Sequence, residues 1–468
     1  MVAVDSTIVI LALPTMGREL AAPLSSIIWT ILIYLLITAA LTTQAGRIGD
    51  LLGRGAVYNA GFAIFTVGSA LSGFAPTAAI LIGARAVQAV GGSLMFANSS
   101  ALIAAVYPPE RRGRAFGYLS FGWGVGAILG ILLGGVITTF LGWRYIFFIN
   151  LPIGIGAVAI GLRSMPATPR EQTGFDIPGF ALFSGLLGFL CYGLIELAVY
   201  GVSALNVAYL VIGLALAPVF VIVELRTRQP MIELRQLKNR LLGFSLLAGF
   251  LQSIGYLAVV FLLTMYLQGV RGLTPLDASL LLIPGYLLGA VLGPAIGRRV
   301  DRLGTRLFMT LGILCMAAAI GAYSLLNVSA WLGWIPVISV VSGLGTGMFY
   351  PSNTTAVMGQ ATPRTFGSIS GLRATLMNMG TLLSFVFAIT VASASIPRYV
   401  AYEVFLGTTN LVGGIATDFL GGIHAALYAS AGILLVAAAL SWLRGADVAR
   451  APVVVAAPAD PVPTPAGK

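Results

Sequence analysis

Apolar residues run along this chain in stretches about twenty residues long, each ended by a charge, a proline or a glycine. That length suits helices that cross a lipid bilayer, where the backbone must satisfy its own hydrogen bonds within the segment. Read between their punctuation, the runs predict fourteen helices. These lie at roughly 1–17, 26–46, 55–75, 77–106, 114–139, 143–163, 177–200, 204–224, 242–268, 275–297, 305–327, 331–358, 367–394 and 419–443. The runs are continuous, unlike the alternating segments of about ten residues that build a membrane β-barrel. A span needs about twenty residues, yet Asp5 stands four positions after Met1. Either helix 1 is unusually short or residues upstream are missing, and the second reading is favoured.

The pattern is duplicated. Gly46, Asp50 and Gly53, with Arg54 next, recur 251 positions later as Gly297, Asp301 and Gly304. Each copy falls in what reads as a short basic loop, between helices 2 and 3 or 10 and 11. Pro109 to Gly113 with Gly117 has a second echo in Pro363 to Gly367 with Gly371. The expected organisation is an all-α membrane protein of two pseudo-symmetric six-helix bundles, 1–165 and 241–445. Residues 166–240 would supply an inserted pair, helices 7 and 8, and a cytoplasmic link. The Pro/Ala/Val-rich tail, 446–468, is expected to be disordered.

Composition agrees with this pattern. Hydrophobic residues make up 58% of the 468 and charged residues 9%, with a mean hydropathy of +0.97. A soluble chain would need more charge to cover its surface. The net charge of +11 comes mostly from alternate loops. With the N-terminus cytoplasmic, twenty basic residues fall on the cytoplasmic side and four outside: Arg18, Arg144, Arg271 and Arg398. This asymmetry places both termini in the cytoplasm by the positive-inside rule. It also explains the basic balance without nucleic acid. Cys191 and Cys315 sit far apart in apolar runs and read as core residues, and a single histidine excludes a His-based metal cluster. The opening shows neither the basic flank nor the A-x-A site of a cleavable signal peptide.

Val4-Asp5-Ser6-Thr7 through Pro14, Trp29, Tyr34, the Gly46–Arg54 motif, Arg85 to Gln88 with Gly91, and Trp143-Arg144 through Asn150, Pro152 and Gly154 occur in this order. So do Gly126, Gly130, Gly134 and Gly135, then Tyr266 to Gln268 with Gly272 and Pro284. Together these resemble the major facilitator superfamily, specifically its fourteen-helix drug:proton antiporter branch, over almost the whole chain. Departures are Ile10 for Asn, Leu51 for Arg, Ala89 for Gly and Ile131 for Pro. The resemblance implies proton-coupled efflux of hydrophobic or amphipathic small molecules by alternating access, in the plasma membrane. It implies no cofactor beyond H⁺ as coupling ion. The expected partners are a small-molecule substrate, protons and the bilayer, without nucleic acid, and the protein is expected to be a monomer.

Asp5 is the only acidic residue within the spans of the first half. An ionised carboxylate there costs at least about 2.5–3.5 kcal/mol on insertion scales, so Asp5 is expected to face a polar cavity and exchange a proton. Arg85 and Gln88, three apart, share a helix face. Arg85 would pair with Asp5 or clamp neighbouring helices. The resemblance makes the Asp50 motif a cytoplasmic gate latch; a plain capped turn is the simpler alternative. The helix-5 glycines permit close helix approach, for packing or for antiport. Losing the kink of a proline at Ile131 favours an uptake or metabolite carrier as the alternative. A sensor or scaffold that no longer transports is a further one. Tyr34, Asn98, Gln252, Tyr256 and Asn378 are candidate cavity residues, together with Gln44, Tyr350 and Asn353. Glu196 and Glu224 read as interfacial groups, Asp418 as a cap and His424 as packing. Arg373 is an intramembrane charge with no assignable partner. No nucleophile–base set, metal cluster or ATP-binding loop argues for an enzyme.

Overall fold

The computed structural model describes residues 1–22, 24–106, 109–165, 170, 174–360, 366–394 and 415–445, some side chains in these ranges excepted, and all their regular elements are helical. We number the long helices α1 (Val2–Leu20), α2 (Leu24–Leu52), α3 (Arg54–Gly73), α4 (Ala78–Val106), α5 (Pro109–Phe140), α6 (Asn150–Ser164) and α7 (Ile177–Tyr200). Then come α8 (Ala204–Arg226), α9 (Arg240–Tyr256), α10 (Pro275–Leu303), α11 (Thr305–Tyr323), α12 (Trp334–Met358), α13 (Phe366–Ala394) and α14 (Ile415–Leu443). One turn, Tyr145–Phe148, leads into α6, and Val259–Thr264 with a π-helical stretch, Met265–Val270, prolongs α9. Among the described residues, eleven helices are long and apolar enough to cross a membrane by length and composition. α1, α3 and α12, interleaved with polar and small residues, fall outside that set. The tail, 446–468, lies outside the described residues, as do the side chains of Asp301, Asp418 and residues 109–113 and 363–367.

Helix starts follow local chemistry. Asp176, Ser203, Asn239 and Thr274 each accept a hydrogen bond from a backbone N–H three residues on, capping α7, α8, α9 and α10. Pro275 then occupies the first turn of α10, where its missing N–H costs nothing.

The packing repeats between the halves. α1 lies on α5, α2 and α3 on α4, and α3 on α6; α9 lies on α13, α10 and α11 on α12, and α11 on α14. Glycines set the closest of these contacts. A Cβ on Gly61 would stand 3.0 Å from the Gly91 carbonyl oxygen, and one on Gly91 2.7 Å from that of Gly61. Gly312 and Gly345 repeat this reciprocal contact in the second half at 2.8 and 2.7 Å. The halves meet along two seams, α2 against α13 and α5 against α10, and the α7–α8 pair leans on α2 and α13.

The duplicated Gly/Asp motif is not a loop, which corrects the expectation from its charge and glycines. α2 continues through Gly46, Gly49 and Asp50 to Leu52, and α10 continues through Gly297 and Asp301 to Leu303. Only Gly53 and Gly304 separate these helices from the next. Their φ values of 99° and 85° end one helix and start another in a single residue. Gly49 is accommodated mid-helix because Asn98 fills the space beside it: a Cβ there would meet Asn98 Oδ1 at 1.7 Å. Asp50 therefore sits at a helix C-terminus, where the backbone dipole disfavours a carboxylate. Arg54 offsets this, its Nε donating to Asp50 Oδ1 at 2.7 Å.

Candidate functional site

Asp5, Arg85 and Gln88 converge in the interior of the first bundle, at 0%, 2% and 0% exposure. Arg85 Nη1 donates to Asp5 Oδ2 at 2.6 Å and to Gln88 Oε1 at 2.6 Å. Gln88 Nε2 donates in turn to Asp5 Oδ1 at 2.9 Å. The i,i+3 spacing on α4 aims both side chains at one carboxylate on α1. Arg85 Nε donates to the Thr30 carbonyl on α2 at 3.1 Å, and the guanidinium lies 4.4 Å from the centre of the Tyr34 ring. Tyr34 thus belongs to the ion-pair site.

Sequence reasoning missed the next ring of partners, because they come from three other segments. Ser69 on α3 accepts from Gln88 Nε2 at 3.3 Å and from Asn150 Nδ2 on α6 at 3.0 Å. Its hydroxyl donates to the Phe147 carbonyl at 3.0 Å, and the Phe147 ring stands 5.7 Å from Arg85. The Trp143–Asn150 segment therefore closes one end of the Asp5 site. Trp143 Nε1 and Arg144 Nη1 also donate to Glu19 Oε2, at 2.7 and 3.1 Å, tying that segment to the end of α1.

The glycine row of α5 presses on α1 beside this network. A Cβ on Gly126 would lie 2.8 Å from Ala3 Cβ, one on Gly130 2.0 Å from Thr7 Oγ1, and one on Gly134 3.1 Å from the Ile8 carbonyl. Gly135 faces the other half: a Cβ there would meet Ser279 Oγ of α10 at 2.4 Å. The row thus serves both the carboxylate-bearing helix and a seam. Ile131 is fully buried in an α5 that runs unbroken from Pro109 to Phe140.

The remaining candidates separate. Asn98 is fully buried between α4 and α2, its Nδ2 donating to the Ala45 and Leu94 carbonyls at 3.0 and 2.9 Å. Asn378 donates to Thr42 Oγ1 at 3.1 Å across the α2–α13 seam, where Thr43 also meets Thr375. Gln252 and Tyr256 lie on α9; Tyr256 shares a 2.6 Å hydrogen bond with Ser342 Oγ. His424 Nε2 meets the Leu326 carbonyl at 2.7 Å, consistent with packing.

Glu224, near the end of α8, does not snorkel to water. It is 2% exposed, and its Oε2 accepts from the Ile232 N–H at 3.1 Å. Asp176, also buried, accepts from the N–H groups of Gly179 and Met231 at 2.9 and 3.0 Å. Arg47, three residues before Asp50, donates to the carbonyls of Gly174, Gln229 and Pro230. These contacts fold the links before α7 and after α8 onto α2, so the chain returned over Glu224 and dried it.

The Major Facilitator Superfamily model matches residues 1–385. Among curated proteins, the riboflavin transporter RibZ of Clostridioides difficile is 30% identical over 388 residues, covering 82% of this chain and 83% of its own. The tetracenomycin C resistance and export protein of Streptomyces glaucescens is 29% identical over 383 residues, covering 81% and 71%. Among solved structures, the peptide transporter POT superposes with a TM-score of 0.65 at 15% identity, over 95% of this chain and 93% of that one, a likeness of fold. The chain belongs to the major facilitator superfamily, with antibiotic and multidrug efflux transporters among its relatives.

Proposed function

We propose that this transporter exports hydrophobic or amphipathic small molecules in exchange for protons, by alternating access in the plasma membrane with both termini cytoplasmic. The observation that carries this reading is the buried Asp5–Arg85 ion pair, 2.6 Å long, held by Gln88, Thr30 and Tyr34, with Ser69 behind Gln88. A proton on Asp5 cancels the carboxylate charge and frees Arg85 from its strongest partner. A lone buried charge costs about 3–5 kcal/mol, so Arg85 must then find water or another acceptor. That requires α1 and α4 to shift, and α1 is held to α5 by the glycine row that also abuts α10. Proton transfer at Asp5 is thereby tied to the relation between the halves. The Asp50–Arg54 pair would order the cytoplasmic junction of α2 and α3 as the halves close.

The export direction draws support from relatives named for resistance and export. A second reading, a metabolite carrier, draws on the riboflavin transporter and on Ile131 in an unkinked α5. Inverted membrane vesicles separate the two. An acid-inside gradient should drive accumulation of at least one member of a mixed panel of cationic, neutral and anionic amphiphiles. Accumulation of none of them under an acid-inside gradient would count against export, and accumulation of flavins alone would favour the metabolite carrier.

A further inference from the structure

The second half contains an intramembrane cation of a different kind. Arg373 lies seven residues into α13, about 10 Å along the helix from Phe366. Arg85 is matched by Asp5, but no carboxylate lies within salt-bridge distance of Arg373 among the described residues. Its Nη2 donates to Thr354 Oγ1 on α12 at 2.8 Å, and its Nε is buried without an acceptor. A guanidinium stays charged, and within a bundle such a charge is retained where it faces a partner or a water-filled cavity.

The surroundings of Arg373 suit a ligand. Tyr350 stands one helical turn before Thr354 on α12 and its carbonyl accepts from the same Thr354 hydroxyl at 2.8 Å, while Tyr256 on α9 hydrogen-bonds Ser342 of that helix at 2.6 Å. Both tyrosines are half-buried, as is Arg373, so none of the three is fully enclosed by protein. Gln252, one turn before Tyr256 on α9, keeps a buried Oε1 without a hydrogen-bond partner. The set combines one fork of N–H donors, which matches a carboxylate geometrically, with aromatic faces for an apolar body.

We infer that Arg373 and these tyrosines form a subsite for an anionic group, and that the cargo is an aromatic or amphipathic organic acid. This rests on the reading of the chain as a small-molecule transporter and names the class of its substrate. The missing counter-charge of Arg373 is then supplied by the cargo. Release of the cargo leaves Arg373 without a counter-charge, so occupancy and the charge balance of α13 change together.

Binding to the purified full chain in neutral-lipid nanodiscs, without any gradient, tests this apart from proton coupling. The probes are aromatic carboxylates of one to three rings, each paired with its primary amide, measured by titration calorimetry. At least one carboxylate should bind ten times more tightly than its amide, and Arg373→Gln should erase that ratio. If Arg373→Gln fails to fold, Arg373→Lys keeps the charge without the planar fork and should cut the ratio at least threefold. Absence of any carboxylate preference, or a preference that survives these substitutions, would overturn the inference. Proton-driven export could fail in vesicles while this preference stands, and the reverse, so the two readings fall separately.

Discussion

Arg85 satisfies three acceptors at once, the Asp5 carboxylate, the Gln88 amide oxygen and the Thr30 carbonyl, and also faces the Tyr34 ring. Each partner comes from a position that the helices hold rigidly, so the site is organised before any substrate binds. Removing one member of a buried ion pair leaves the other charge dry and costs about 3–5 kcal/mol. Asp5→Asn and Arg85→Gln should each lower the thermal midpoint of the purified protein. The double variant should be less destabilised than the two losses added together, because neither charge is then stranded. Strict additivity in that cycle would show that the 2.6 Å contact carries no coupling energy. Asp5, Arg85 and Gln88 were legible in the sequence, since a carboxylate and a guanidinium in apolar runs demand company and an i,i+3 pair shares a face. Ser69 and Asn150 were not. A serine and an asparagine in spans are compatible with any neighbour, and only the packing of α3 and α6 selects these two.

At the scale of elements, small residues decide how near two helices come. Gly130 lets α5 approach α1 until the Val4 carbonyl would stand 2.6 Å from an added Cβ. That contact is backbone and cannot swing aside. Gly130→Ala should therefore cost about 1–3 kcal/mol, the range for overpacking, and slow transport. Gly122→Ala on the same helix meets nothing within 4 Å and should be silent in both melting and flux. Equal effects from the two would remove α1–α5 contact as the reason for the row. The Asp50 motif shows where sequence reading fails at this scale. Two glycines and an aspartate resemble a loop by propensity, but tertiary contacts with Ala97 and Asn98 keep α2 helical through them. Gly53 alone carries the turn, at φ 99°. Gly53→Ala should destabilise by more than about 1 kcal/mol, because alanine cannot adopt that φ without strain. The burial of Glu224 was not legible for a related reason: the link that covers it lies eight residues further on, and no local pattern announces its return.

At the scale of the molecule, two bundles with the same internal pairings meet along α2–α13 and α5–α10. The duplication was legible, because Gly46–Gly53 and Gly297–Gly304 keep one spacing. The seams were not, because the residues that form them, such as Thr42 with Asn378 and Gly135 with Ser279, share no pattern along the chain. Alternating access requires these seams to open and close. Thr42→Cys with Asn378→Cys, in a background with Cys191→Ala and Cys315→Ala, should cross-link under oxidation and stop transport, and reduction should restore it. Full flux through the cross-linked protein would exclude movement at this seam.

The central claim is that the proton enters the cycle at Asp5. Proteoliposomes containing wild type or Asp5→Asn, loaded with the same radiolabelled substrate, test it in two modes. Gradient-driven accumulation under an imposed pH difference should disappear in Asp5→Asn. Substrate-for-substrate counterflow, which needs the halves to rock but no net proton movement, should persist at a measurable rate. Accumulation that follows the pH gradient as well in Asp5→Asn as in wild type would contradict the account.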